Sequence, residues 1–222
     1  MSAGASGKPT IIVEHLDPEL EEWQALEYKC IYEECETSTP PWNFLLSGLS
    51  SAAGVGKQLS LPSSSVTEQS VEALYQGDRR RNVCLLDPKA EKDLSPEDGE
   101  KFDVFLFGGI LGDDPPRDRT GELRKMGFEG RRLGQEQMTT DTAARVTRIV
   151  VADRQPLGNI PYVDRPDIKL PASTSGHEGA QSGESVSMPF RYVKGKDGKG
   201  VMPKGMLDLL ASDADKDIMD LL

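Results

Sequence analysis

The segment from Val104 to Thr120, VFLFGGILGDDPPRDRT, constrains the fold more than any other stretch of the chain. Val104 to Phe107 is a short apolar run with the length and composition of a buried strand. It leads directly into Gly108, Gly109 and Gly112, then paired acids, paired prolines and a further acid among arginines. A strand that ends in glycines lets its backbone approach a ligand closely, because no Cβ stands between them. The charged run that follows is more than a connecting turn requires. The segment therefore predicts a strand end that carries a ligand. Simpler readings stay open: Gly108 and Gly109 also suit a plain tight turn, and Asp118 has Arg117 and Arg119 beside it as local partners.

The rest of the chain supplies more strands of the same kind. Thr10 to His15 reads as the first, and Asn43 to Ser47 as the second. Between them the spacing predicts a helix from about residue 18 to about 35, with Leu20, Trp23, Leu26 and Ile31 on one buried face. Glu19, Glu21 and Glu22 suit the positive end of its dipole. Residues 48–66, rich in Ser, Gly and Ala, read as loop or poor helix. Asn82 to Asp87 reads as a third strand stopped by Pro88, with 104–107 the fourth and Gly130 to Leu133 the fifth. A helix is expected from Met138 to about Arg154, with Ala143, Val146, Ile149 and Val150 inward and Thr139 or Thr140 as its cap. Strands separated by helical stretches predict an α/β fold around a parallel sheet. In such sheets ligands sit beyond the carboxyl ends of the strands.

A chain of 222 residues suits a single domain, placed at 10–222, after a small polar N-terminus at 1–9 that is expected to be disordered. The stretch 171–187, PASTSGHEGAQSGESVS, lacks core formers and is expected to be a disordered insertion. Structure resumes at Met188 to Val193. The acidic tail at 206–222 has Leu207, Leu210, Ile218 and Leu221 at roughly helical spacing. No apolar run approaches a membrane span, and the first residues carry no apolar signal region. Three cysteines, Cys30, Cys35 and Cys84, are odd in number and lack zinc spacing. Together these features predict a reduced, cytoplasmic protein.

Charge narrows the partners. Lys and Arg number 26 against 37 Asp and Glu, a formal charge of −11. A protein that follows a phosphate backbone needs a positive footprint, so the balance argues against a nucleic-acid substrate and for a cationic one. Arg79, Arg80 and Arg81 are the local exception.

Several motifs fail. Gly54-Val-Gly-Lys57 has Ser51 where a phosphate loop needs its first glycine, and Gln58 where the magnesium-holding hydroxyl belongs. Gly4 to Lys8 fails likewise. His15 and His177 are the only histidines and stand apart, so no histidine-ligated metal is expected. Cys30 and Cys35 read as small core residues of the first helix. Three segments survive: the glycine loop with Asp113 and Asp118, the strand-to-helix junction Arg131 to Thr142, and Met188 to Val193. Asp141 within the second also suits a helix N-terminus as a simple dipole partner.

These segments carry a resemblance. Cys84-Leu-Leu-Asp-Pro88, Phe107-Gly-Gly-Ile-Leu-Gly-Asp113, Pro115-Pro-Arg-Asp-Arg-Thr120, Arg132-Leu-Gly134, Gln137-Met-Thr-Thr-Asp-Thr-Ala143 and Met188-Pro-Phe-Arg-Tyr-Val193 resemble the SPOUT methyltransferase superfamily, in its protein-arginine-methylating branch. Glu14-His15, Trp23 and Leu26-Glu-Tyr28 near the start, and Gly205-Met-Leu-Asp-Leu209 near the end, extend it over nearly the whole chain. The N-terminus, 48–66 and 171–187 depart from the pattern. The resemblance implies a C-terminal trefoil knot, against the usual rule of unthreaded chains. It also implies S-adenosyl-L-methionine as cofactor, methylation of an arginine in a small-subunit ribosomal protein, and a monomer. The cofactor residues it implies are Leu86, Asp87 and Pro88, then Phe107, Gly108, Gly109, Ile110, Leu111 and Gly112. Leu133, Gly134, Gln137, Met138, Thr139 and Thr140 follow, with Phe190 and Tyr192.

The physics agrees with an arginine substrate. The cofactor's sulfonium and a guanidinium are both positive, and bringing them to ~4 Å costs roughly 4 kcal/mol at an effective dielectric of ~20. Carboxylates offset that repulsion, aim the guanidinium by forked hydrogen bonds and accept the released proton. The candidates are Glu14, Glu27, Asp113, Asp118 and Asp141. Two alternatives remain in view: a SPOUT RNA methyltransferase acting on rRNA or tRNA, and a non-catalytic ribosome-assembly binding protein. Acidic surroundings beside the cofactor favour arginine, and basic ones favour RNA.

Overall fold

Five short strands form one sheet: β1 (Thr10–Glu14), β2 (Asn43–Ser47), β3 (Val83–Leu86), β4 (Val104–Gly108) and β5 (Glu129–Arg131). Their order is β2-β1-β4-β3-β5, and every pairing is parallel, as the alternation of strands and helices predicts. This computed structural model describes residues 8–108, 120–170 and 185–219. Side chains alternate across the sheet. Ile11, Val13, Cys84, Leu86, Phe105 and Phe107 face one core, and Ile12, Val83, Leu85, Val104 and Leu106 face the other.

The first core is covered by α1 (Glu22–Thr37) and α5 (Thr140–Val151), which pack against each other. α1 starts about four residues later than its apolar spacing suggests. Glu21 and Gln24 form a capping box there, with the Glu21 amide donating to Gln24 Oε1 at 3.1 Å. Its buried face is Gln24, Glu27, Tyr28, Ile31 and Cys35. Of the four residues expected inward only Ile31 is fully buried; Leu20, Trp23 and Leu26 are half-buried. α5 is likewise shorter than expected at both ends. Val146 and Val150 point inward as foreseen, Ala143 and Ile149 are half-buried, and Asp141 and Arg145 take buried positions instead.

Within 48–66 a helix stands where loop or poor helix was expected: α2 (Ala52–Leu59). Ser51 Oγ caps it by accepting from the Gly54 amide at 3.2 Å, and Ser60 ends it in the left-handed region. Gly54 to Lys57 thus lie on a helix and form no phosphate loop. The short helices α3 (Val71–Leu74) and α4 (Thr120–Lys125) were not foreseen. β5 begins one residue earlier than expected and ends at Arg131, short of Leu133.

Beyond α5 come β6 (Tyr162–Asp164), β7 (Asp167–Lys169), β8 (Ser185–Ser187) and β9 (Arg191–Val193). β6 pairs with β9 and β7 with β8, both antiparallel. β8 lies inside the stretch expected to be a disordered insertion, so that expectation is corrected at its C-terminal end. Cross-strand pairing with β7 holds Ser185–Ser187 where their own composition gives no reason for order. Lys8 and Pro9, assigned to a disordered N-terminus, are also tied down: the Asn43 amide donates to the Pro9 carbonyl at 2.8 Å. Residues 1–7 and 171–184, where the other disorder expectations fall, lie outside the described residues. α6 (Met206–Met219) fulfils the helical spacing of the tail and contacts α1. Met206 is its buried anchor, and Leu207 is exposed. Among the described residues, no helix is long and apolar enough to cross a membrane.

Candidate active site

The parallel register sets the carboxyl ends of β3, β4 and β5 side by side: Leu85 stands opposite Leu106, and Leu86 opposite Arg131. The Asp87 amide donates to the Arg131 carbonyl at 2.8 Å, so the turns after β3 and β5 are joined. Leu86 and Phe107 bury their side chains in the core. The Asp87 carboxylate is already committed. It accepts Arg124 Nε at 2.5 Å, Arg124 NH2 at 2.7 Å and the Lys89 amide at 2.9 Å. Pro88 is exposed beside it. A cavity of about 270 Å³ opens here between Lys89, Arg124, Phe128 and Arg131, on the side away from α5. Gly108 ends β4. Gly109, Ile110, Leu111, Gly112, Asp113 and Asp118 lie outside the described residues.

From β5 the chain passes Leu133, packed on the core, and Gly134, whose φ of +88° suits only glycine readily. Gln137 and Met138 then run beside β9, where the Arg191 amide donates to the Gln137 carbonyl at 2.8 Å. That contact places the 133–140 loop next to Phe190 and Tyr192, both buried with Trp23 in a third apolar cluster. Thr139 is the N-cap of α5, as expected, but its hydroxyl meets the Thr142 hydroxyl at 2.8 Å and caps no amide.

Where the loop ends, an acidic pocket begins. Glu27 on α1 and Asp141 in the first turn of α5 are both buried, at 0% and 1% exposure. Trp23 Nε1 donates to Glu27 Oε1 at 3.1 Å, leaving Glu27 Oε2 without a partner. Asp141 Oδ2 lies 3.4 Å from both NH1 and NH2 of Arg145, leaving Oδ1 without a partner. The Tyr192 hydroxyl is also buried and unpartnered, and Thr140 lies against Glu27. Burial drives the pKa of Glu27 well above the carboxylate range, and the charge of Asp141 raises it further, against smaller opposing pulls from Trp23 and Thr140. Burial raises Asp141 as well, with Arg145 opposing. The Tyr192 phenol is raised by burial, then by Asp141 and Glu27, so all three groups share one field.

Of the five candidate carboxylates the structure thus brings Glu27 and Asp141 together. Glu14 is committed elsewhere: its Oε2 accepts from Ser47 Oγ at 2.5 Å and from the Val71 amide at 3.0 Å, tying β1 to β2 and α3. Next to it His15 is buried, with Nδ1 3.2 Å from the Tyr28 hydroxyl. Sequence reasoning missed Trp23 and Arg145 as members of the pocket. The signal was present, since Trp23–Glu27 and Asp141–Arg145 are both four apart on a helix. Among the described residues no group of His, Cys, Asp and Glu is placed to hold a metal.

Buried acceptors without partners are costly unless a donor joins them. Two buried carboxylate oxygens without partners, on neighbouring acids that share one field, match a planar, multi-donor cation such as a guanidinium. The adjoining loop, with a glycine at positive φ, suits a cofactor that approaches main chain.

Comparison with known proteins leads to the same chemistry. The family model for SFM1-like protein arginine N-methyltransferases matches residues 10–217. The protein arginine N-methyltransferase SFM1 of Saccharomyces cerevisiae is 39% identical over 227 residues, covering 95% of this chain and 98% of that one. The crystal structure of yeast SFM1 complexed with SAM superposes with a TM-score of 0.75 at 38% identity, over 95% of this chain and 93% of that one. A full-length Trm10 complexed with SAH shares the fold, with a TM-score of 0.51 at 11% identity, over 68% of this chain and 94% of that one. Matched along almost its whole length, the chain belongs to the SFM1-like family of protein arginine N-methyltransferases, within the SPOUT fold.

Proposed function

We propose that this protein transfers a methyl group from S-adenosyl-L-methionine to an arginine side chain of a small-subunit ribosomal protein. It acts as a cytoplasmic monomer, with the chain after β5 threaded into the trefoil knot of its superfamily. The observation that carries the reading is the convergence of Glu27 Oε2 and Asp141 Oδ1, both buried and unpartnered, at the end of the 133–140 loop. The backbones of Leu86–Pro88, Phe107–Gly112 and Leu133–Thr140 hold the cofactor, with Phe190 and Tyr192 behind them. When bound, the cofactor supplies a methyl group made electrophilic by its sulfonium.

The chain's own groups do the rest. Asp141 Oδ1 and Glu27 Oε2 accept guanidinium N–H bonds and offset the repulsion between two cations. As one guanidinium nitrogen takes the methyl group, the methyl–sulfur bond would break with its electron pair left on sulfur, while the nitrogen's N–H bond breaks and the proton passes to Glu27 Oε2. Positioning supplies most of the rate. RNA, with its phosphates, is repelled by the same carboxylates.

The test is incubation of the protein with radiolabelled S-adenosylmethionine and a total cell extract, divided between protease and nuclease. Protease-sensitive label in a small-subunit ribosomal protein, lost in Glu27→Gln, is expected. Nuclease-sensitive label would overturn the proposal in favour of an RNA substrate. No label together with no calorimetric binding of S-adenosylmethionine would overturn it in favour of a non-catalytic binder.

A further inference from the structure

Arg145 has a place in this pocket that the resemblance does not assign. It lies one helical turn beyond Asp141, with its side chain only 9% exposed. Its NH1 and NH2 both lie 3.4 Å from Asp141 Oδ2. Its Nε reaches Glu34 Oε1 at 2.8 Å, and its NH2 reaches the same oxygen at 2.5 Å. Glu34 is itself held at the other oxygen by Arg148. One guanidinium therefore joins α5 to α1 and occupies one oxygen of Asp141 while leaving the second to the pocket.

We propose that Arg145 is the positioning residue of the site: it fixes the Asp141 carboxylate in place, favours its anionic form over that of Glu27, and leaves Glu27 as the carboxyl that exchanges the proton. This rests on the arginine-methylating reading of the pocket. Two buried carboxyls close together do not both ionise readily; one holds a proton unless a cation takes a side. Arg145 is such a cation, and it faces only one of the two. Paired groups pushed apart in this way divide into anchor and acid–base. Asp141 then binds the substrate guanidinium in its charged form, and Glu27 gives up a proton as the guanidinium enters and regains one on transfer. The charged and titratable groups around the pair are Glu27, Cys30 and Glu34 on α1, Arg145 on α5 and Tyr192 on β9.

The experiment reads the carboxyls directly, by carbon-13 NMR titration of the cofactor-free protein, beside methylation of a small-subunit ribosomal protein mixture. Four variants are compared, Glu27→Gln among them. Arg145→Met removes the cation, so the Asp141 midpoint moves up, and the acidic limb of the kcat/KM profile moves with it. Its KM rises about ten-fold or more, as for loss of one partner of a buried ion pair, while S-adenosylmethionine affinity by calorimetry changes less than about two-fold. Arg145→Lys keeps the charge, so the midpoint returns toward the parent and part of the KM increase remains, because a point charge lacks the planar fork. Glu34→Gln removes an anion that raises Asp141, so its midpoint moves down. The opposite shifts in Arg145→Met and Glu34→Gln cannot come from loosened packing, and Glu34→Gln stands alone if Arg145→Met does not fold. An Asp141 midpoint that stays put in folded Arg145→Met, or in Glu34→Gln where Arg145→Met does not fold, would overturn the inference. If Glu27→Gln leaves methylation intact, the division of roles between Asp141 and Glu27 falls; if the label is nuclease-sensitive or absent, the arginine-methylating reading falls instead. If Glu27→Gln abolishes methylation while these midpoints stay fixed, only the role of Arg145 falls.

Discussion

Asp141 raises the pKa of Glu27 across the contact between α5 and α1, and each residue keeps one buried carboxylate oxygen without a hydrogen-bond partner. Two acids held in this way destabilise a folded chain unless a cation joins them. The pocket is thus better matched to the loaded enzyme than to the free one.

A pH dependence follows for the free protein. Glu27 sits well above its ordinary value of 4.5, first by burial and then by Asp141. Between that value and the raised one the folded state holds a proton that the unfolded chain has released, so stability falls as pH rises. The contribution is complete below the ordinary value and lost through the raised one. Asp141 and Glu14, also raised, act in the same direction. Glu27→Gln is expected to melt higher than the parent at neutral and alkaline pH, with the gap closing toward acid. Melting curves between about pH 4 and about pH 9 check this, and a variant less stable than the parent at the alkaline end would contradict it.

Glu14 is expected to affect folding more than chemistry. Glu14→Ala strands the Ser47 hydroxyl and the Val71 amide in a buried junction, at about 1–3 kcal/mol each. For a chain of this size that means a fall in Tm of about 2–4 °C per kcal/mol. At temperatures where the variant is folded, its KM for the methyl acceptor should match the parent. A large KM change without a fall in Tm would move Glu14 into the acidic pocket.

Gly200 offers a remote handle on Tyr192. A Cβ at this position would stand 2.8 Å from Tyr192 Cβ and 3.1 Å from Cγ, closer than carbon atoms pack. Gly200→Ala must therefore displace the ring or the strand pairing of Lys194 with Gly200. The expected cost is about 1–3 kcal/mol, with methylation reduced as the ring leaves its place near Glu27 and Asp141. Parental Tm and rate together would show that the ring tolerates the shift.

The hairpin of β7 and β8 is expected to accept a shorter connection. Lys169 pairs with Ser185, so the ends of the intervening stretch already meet. Replacing 171–184 with a short Asn-Gly turn removes loop-closure entropy and should leave Tm equal or slightly higher, with S-adenosylmethionine affinity unchanged. Deleting through Ser187 removes β8 as well and should lower Tm. A loss of several degrees from the shorter replacement would show that 171–184 packs.

How much the sequence disclosed depended on whether each element followed its own local pattern. β1, β3 and β4 are buried on both faces, so they appear as plain apolar runs, IIV, VCLL and VFLF, and were legible. α1 was found but rotated: Leu20, Trp23 and Leu26 suggest one face, while the folded helix buries Gln24, Glu27 and Tyr28. A glutamate in a helix reads as solvent-facing because carboxylates are seldom buried. What buries Glu27 is Asp141 and Tyr192, far along the chain, and no local pattern reports such a contact. α2 was obscured by its glycines, although Ser51 is a good cap. β8 is three residues beside a polar tract and owes its order to a partner across that tract. The ends of β3 and β4 and the start of α5 were legible because glycine, proline and threonine mark strand ends and helix starts wherever they occur.

The acidic pocket draws Trp23 and Glu27 from near the start of the chain, Asp141 from past its middle, and Tyr192 from near its end. During synthesis the first two are made long before the last, and no product that stops before Tyr192 contains the whole arrangement. The two acids therefore gain Tyr192 as a neighbour only once β9 has been made, and a chain cut short before Tyr192 retains all five strands of the parallel sheet without the complete arrangement.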